Sequence, residues 1–276
     1  MHLQSTKTLS NGVEMPLLGL GVYKMTDPDE TIQAITKALQ VGYRAVDTAA
    51  LYYNEAEVGE AIRYSNVPRE QIFVTTKVWN SDQGYDNTLR AFETSLKKLG
   101  MDYVDLYLTH WPVADKFTDT YRAIERLYEE KLIRVPGVSN HHQHHLEELM
   151  KTANIAPIVN QIEIHPYLSQ ESLRAFCAEH NIAVTAWSPL GRGSVLEDKD
   201  IQLIGEKYGK TAAQIVLRWH LQHNIIAIPK SVTPHRIEEN TQIYDFELAV
   251  EDMQALDALN QNKRFGQNPD NFHFDF

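Results

Sequence analysis

The chain has a single cysteine, Cys177, among 276 residues. It can therefore form neither an internal disulfide nor a thiolate metal cluster, and Cys177 itself is expected to be a small buried hydrophobe. No apolar run approaches the roughly 20 residues that span a bilayer, and the opening MHLQSTKTLS holds no hydrophobic signal segment. The expectation is a soluble, cytoplasmic protein with no membrane partner. Positive charge is scarce: 26 Lys and Arg face 37 Asp and Glu, a formal net charge of -11 with no basic run. This argues against nucleic acid as a partner, because its binders gain most of their affinity from concentrated positive charge. A dinucleotide fingerprint is also lacking. GLG at residues 19–21 and GRG at 191–193 both miss the third glycine of G-x-G-x-x-G.

What the chain does contain is a rhythm. A small hairpin is expected over residues 7–15, with Asn11-Gly12 suited to a tight two-residue turn. Short apolar runs then alternate with amphipathic stretches. Strands are expected at residues 17–20, 44–47, 72–76, 104–108, 133–138, 158–162, 182–186 and 225–228. Eight βα units with nearly continuous apolar strands predict an α/β fold, a (β/α)8 TIM barrel; an open doubly wound sheet is the alternative. Helical stretches at residues 200–208 and 251–259 exceed the count and would be two extra helices. No linker or change of composition divides the chain, so residues 1–276 read as a single domain, which this length permits for a barrel. A monomer is expected.

In such a barrel, polar residues where strands end face the site. Residues 42–59, GYRAVDTAALYYNEAEVG, place Asp47 at a strand end and Tyr52 just before a helix signal, Asn54 with Glu57, which reads as a capping pair. Lys77 and His110 follow the next two strands. A free phenol, with a pKa of about 10, is a weak acid at neutral pH. A helix N-terminus and the Lys77 ammonium are expected to lower that value, with Asp47 holding Lys77 charged and His110 orienting a carbonyl. Taken one at a time, Asp47 and Lys77 could be a structural ion pair and His110 a core group. Tyr53 is a rival donor expected to pack. Together the four fit protonation of a carbonyl oxygen.

These residues, with HWP at 110–112, GVSN at 137–140 and IPKSVTPHR at 228–236, resemble the aldo-keto reductases along nearly the whole chain. The likeness is greatest to the short-loop bacterial branch that reduces glyoxals and keto-sugars, such as 2,5-diketo-gluconate. It implies NADPH as hydride donor, a small-molecule carbonyl substrate, and Asp47, Tyr52, Lys77 and His110 as the catalytic group with Tyr52 as acid. It further implies that Ser139, Asn140 and Gln161 hold the nicotinamide carboxamide and that Trp187 stacks on the ring. Ser188, Leu190 and Gly191 would touch the pyrophosphate, Lys230, Ser231 and Arg236 the 2'-phosphate, and Glu239 and Asn240 the adenine side. Independently of the resemblance, a Lys and an Arg bracketing a Ser in an acidic chain suit a terminal phosphate. Alone, that loop could equally be solvated.

Tyr23, Trp79 and Trp111 follow strands one, three and four and are expected to wall an apolar substrate pocket, kept open by the short connection over residues 113–117. Two positions depart from the family pattern: Pro136 lies within a strand, and His141 stands where an aromatic is usual. The run HHQHH (His141, His142, His144, His145) raises a metal reading, but no acid or cysteine completes a ligand pattern, so no metal and an exposed helix start are expected. Two other functions are compatible with the residues: a Schiff-base lyase using Lys77, and a non-catalytic NADPH-binding regulatory protein.

Overall fold

The computed structural model describes residues 1–272. The N-terminal hairpin forms from β1 (Thr6–Thr8) and β2 (Glu14–Pro16), with Lys7 opposite Met15. Its turn differs from the expectation. Gly12 has φ +83° but Asn11 is not at positive φ, and the Gly12 N–H donates to Leu9 O at 2.8 Å. This is a three-residue loop in which glycine alone takes the left-handed position. Asn11 instead donates through Nδ2 to Arg134 O at 3.0 Å, which fixes the hairpin beneath the N-terminal ends of the strands.

Eight strands follow, all parallel and neighbouring in chain order: β3 (Leu20–Gly21), β4 (Ala45–Asp47), β5 (Phe73–Val78), β6 (Val104–Thr109), β7 (Ile133–Ser139), β8 (Val159–Glu163), β9 (Ala183–Trp187) and β10 (Ile226–Ala227). A bridge between Leu18 and Ala227 and the bonds Gly19 N–H to Ala227 O (2.9 Å) and Gly21 N–H to Pro229 O (3.1 Å) join the first strand to the last. The sheet therefore closes, and the expected barrel forms in preference to an open sheet. Pro136 sits inside β7 without breaking the ladder. Its carbonyl accepts from Ile158 N–H at 3.0 Å, and the N–H it lacks would point at residue 156, before β8 begins. No ladder bond is lost, and Ser139 and Asn140 beyond it keep their place.

The helices α1 (Pro28–Val41), α2 (Glu55–Arg63), α3 (Tyr85–Leu99), α4 (Phe117–Glu129), α5 (Gln143–Met150), α6 (Glu171–Glu179), α8 (Ala212–Gln222) and α9 (Pro234–Glu239) cover the barrel. Their ends follow the sequence. Asp27 caps α1 by accepting from Glu30 N–H at 2.8 Å, Pro28 fills its first turn, and Thr211 with Gln214 makes a reciprocal capping box on α8. The two surplus helices, α7 (Lys199–Tyr208) and α10 (Val250–Asp257), are held to each other by the Lys207–Asp252 ion pair at 2.6 Å. Cys177 is fully buried on α6, and burial pushes its thiol up to about 11. Among the described residues no helix is long and apolar enough to cross a membrane.

Candidate active site

Asp47, Lys77 and His110 lie at or just beyond the C-terminal ends of three adjacent strands, β4, β5 and β6, so their side chains converge at one sector of the mouth. Lys77 has no exposed side-chain surface. Its Nζ donates to Asp47 Oδ1 at 2.5 Å, to Thr48 O at 2.8 Å and to Tyr52 Oη at 3.5 Å. Burial lowers the pKa of Lys77, and Asp47 opposes that shift, so the carboxylate is what favours the ammonium here. With its donors aimed at three oxygens, Lys77 is built as a held cation. A Schiff base would need a free amine.

Tyr52 closes a single 3-10 turn, Ala50–Tyr52, that precedes α2. The structure corrects two expectations about it. Burial, with Asp47 and Tyr23 adding to it, raises the Tyr52 pKa well above 10. The direction is opposite to the one expected from the ammonium 3.5 Å away. Nor does Asn54 cap α2 with its side chain. It is buried, donating to Val22 O (2.9 Å) and Met25 O (3.2 Å) and accepting from Thr48 Oγ1 (2.7 Å), so it ties the β3 and β4 loops to the start of the helix. Tyr53, expected to pack, is 82% exposed.

His110 is buried, and burial with the nearby Lys77 charge holds its imidazole well below the usual 6.5. It is neutral. Its ring meets Trp79 edge-on at 5.1 Å and Tyr52 at 5.7 Å, while Tyr23 lies 4.9 Å from Tyr52. Tyr23 and Trp79 therefore flank the phenol and the imidazole. Trp111 faces elsewhere in part: its ring lies 4.6 Å from Phe272 of the C-terminal segment.

The residues assigned to the nicotinamide form one connected network with this group. Gln161 Nε2 donates to Asp47 Oδ2 at 2.6 Å, and Ser139 Oγ donates to Gln161 O at 2.8 Å. Asn140 donates to His110 O at 3.0 Å and accepts from Trp187 Nε1 at 2.8 Å. Ser188, Leu190 and Gly191 share the turn after β9, where Gly191 N–H donates to Ser188 O at 2.8 Å. Lys230 and Ser231 lie on the connection from β10 to α9, and Arg236 lies on α9 itself. Lys230 and Arg236 are exposed and make no ion pair among the described residues. Glu239 accepts from Thr211 Oγ1 at 2.9 Å, and Asn240 is buried.

Sequence reasoning missed the C-terminal segment. Phe265 N–H and Gly266 N–H donate to the buried Glu163 Oε1 at 2.7 and 3.2 Å, which lays the segment across the end of β8. Gly266 then rests on the Trp187 ring so closely that a Cβ would fall 2.3 Å from it. The usable signal was a glutamate two residues beyond Gln161, inside an otherwise buried strand, with only His165 beside it in sequence. The histidine run is also more varied than an exposed helix start. His141 is fully buried, its Nδ1 2.9 Å from Ser139 O, whereas His144 stays exposed.

The aldo/keto reductase family model matches residues 17–261. The chain is 54% identical over 268 residues to 9,11-endoperoxide prostaglandin H2 reductase of Trypanosoma cruzi (strain CL Brener), covering 96% of this chain and 95% of that one. It is 53% identical to glyoxal reductase of Bacillus subtilis (strain 168), covering 99% of each. Among solved structures, a mutant of Gox0644 in complex with NADPH superposes with a TM-score of 0.93 at 43% identity, covering 98% of this chain and 99% of that one. Sequence, barrel and strand-end group agree: the chain belongs to the aldo/keto reductase family.

Proposed function

We propose that the protein reduces small aldehydes and ketones, including 2-oxoaldehydes such as methylglyoxal, to alcohols with NADPH, and that Tyr52 is the proton donor. The observation that carries this reading is Lys77 Nζ lying between Asp47 Oδ1 at 2.5 Å and Tyr52 Oη at 3.5 Å, beneath the barrel mouth. The donor set suits the cofactor. Two exposed cations without ion-pair partners among the described residues bracket Ser231, as a terminal phosphate requires, and Asn140, Ser139 and Gln161 sit beside Trp187 within reach of the chemistry. When bound, NADPH supplies hydride to the carbonyl carbon.

The protein's own groups manage the proton. A neutral His110, whose Nδ1 faces no partner, carries its hydrogen on Nε2 and directs it at the carbonyl oxygen. As negative charge grows on that oxygen, Tyr52 Oη gives up its proton, and the Lys77 ammonium stabilises the phenolate left behind. The raised pKa makes the resting phenol a weak acid, so this reading requires the Lys77 ammonium to stabilise the phenolate as the transition state forms. Tyr23 and Trp79 flank a mouth that the short β6–α4 connection leaves open, which favours compact carbonyls, in keeping with the glyoxal reductase relative.

The test is NADPH oxidation with methylglyoxal and with an aromatic aldehyde. Tyr52→Phe removes one hydroxyl and is expected to lower kcat about 10²- to 10⁴-fold while NADPH still binds. Equal rates for the two proteins would overturn the assignment of Tyr52.

A further inference from the structure

We infer that His144, His145 and Asp270 form a binding site for a divalent transition metal such as Zn2+, and that the metal ties the C-terminal segment to α5. The sequence supplied imidazoles without an acid. The fold supplies the acid from the far end of the chain. One ligand-capable atom from each of the three residues lies within 4.8 Å of the other two, and His144 Nε2 is 3.5 Å from Asp270 Oδ1. Ligand atoms around a tetrahedral zinc with bonds of about 2.0–2.1 Å stand roughly 3.4 Å apart. Small rotations close the site, and surface exposure allows them: His144 is 59% exposed and Asp270 40%.

The donors select the metal. Two imidazoles and a carboxylate suit zinc, copper or nickel, with a fourth position left to water, whereas magnesium and calcium prefer all-oxygen shells. The carboxylate is already oriented. Asp270 Oδ1 accepts from His142 Nδ1 at 2.7 Å, His142 Nε2 accepts from Arg264 at 2.8 Å, and Asp270 N–H donates to Asn268 Oδ1 at 3.1 Å. His142 thus has both nitrogens engaged and serves as the outer support that ligating carboxylates generally have. His145 Nδ1 accepts from His142 N–H at 3.1 Å, so coordination through His145 displaces that capping bond or shifts the ring's tautomer. Affinity is accordingly below that of a buried three-histidine centre.

The position gives the site a consequence. Asp270 lies between Gly266, which rests on Trp187, and Phe272, which meets Trp111. A metal held jointly by Asp270 and α5 fixes the segment over both aromatic rings.

The experiment is calorimetric titration of the full chain with zinc sulfate, with magnesium sulfate as control. One Zn2+ and no Mg2+ per wild-type chain is expected. The double variant His144→Ala/His145→Ala should lose binding, Asp270→Asn should weaken it at least about tenfold, and His142→Ala about tenfold. Unchanged melting in EDTA shows that these variants fold. Zinc should also slow carboxypeptidase trimming of wild type but not of Asp270→Asn. Absence of binding to wild type, equal binding by the double variant, or equal binding and trimming for Asp270→Asn would each overturn the proposal.

Discussion

Replacing His141 with phenylalanine should make the protein markedly more resistant to acid while leaving its stability at pH 7.5 nearly unchanged. His141 is fully buried, and burial lowers its pKa from 6.5 to about 3. A group depressed in the folded state contributes stability that is present above its unfolded pKa and lost as pH falls towards the folded one. Between 6.5 and about 3 the unfolded chain accepts a proton that the native imidazole refuses, and each pH unit costs about 1.4 kcal/mol. At pH 4.5, two units below the unfolded value, the loss from this residue reaches roughly 2.7 kcal/mol. His220, lowered to about 4 by burial, adds a similar loss, but it is present in both proteins and cancels. At pH 7.5 the substitution removes a hydrogen bond to Ser139 O, worth about 1 kcal/mol, and also removes a buried Nε2 that has no partner, a change of similar size and opposite sign. The new ring would keep the edge contact that His141 makes with Phe117 at 5.5 Å. Urea unfolding at pH 7.5 and 4.5 measures the difference. Equal losses for wild type and His141→Phe would refute the linkage.

Further changes test the rest of the site. Lys230→Ala and Arg236→Ala should each raise KM for NADPH about 10- to 100-fold, from the ~1.5–3 kcal/mol of a charge-assisted hydrogen bond, and leave KM for NADH unaltered. An equal effect on both cofactors would place these residues away from the 2'-phosphate. Asn54→Ala removes three buried hydrogen bonds and should cost about 2–4 kcal/mol, read as a fall in melting temperature with a loss of kcat as the Tyr52 turn loosens. Gly266→Ala forces a methyl against the indole of Trp187, so KM for NADPH should rise while the melting temperature changes little. Unaltered KM would mean that the segment and the ring move apart freely.

The barrel could be read from the sequence because parallel strands buried on both faces are short apolar runs, and each strand carries its polar residue at the end that meets the loop. Asp47, Lys77 and His110 were found by that rule, and the surplus helices α7 and α10 by counting. Effects of third dimension were not legible. Asn54 has the right spacing for a cap, yet its amide turns sideways to two carbonyls thirty residues earlier, which no local pattern encodes. The Tyr52 pKa went the other way because proximity to a cation can be guessed from strand order, whereas the depth of burial cannot. Pro136, a departure from the family pattern inside a strand, is accommodated because the stagger of β7 against β8 puts its missing donor opposite a residue that precedes β8. The C-terminal segment has no periodicity, and its path is set by contacts with Glu163, Tyr167 and His142 that are distant in sequence.

The bond from Gln161 to Asp47 crosses the barrel, linking the middle of β8 to the end of β4 on the other side of the ring. It makes the barrel's opening behave as one mechanical part. A ligand that pulls on the amide must also tug the carboxylate and, through it, the ammonium next to the phenol. Occupancy on one flank can in this way be felt as a change in acidity on the other, without any loop having to travel.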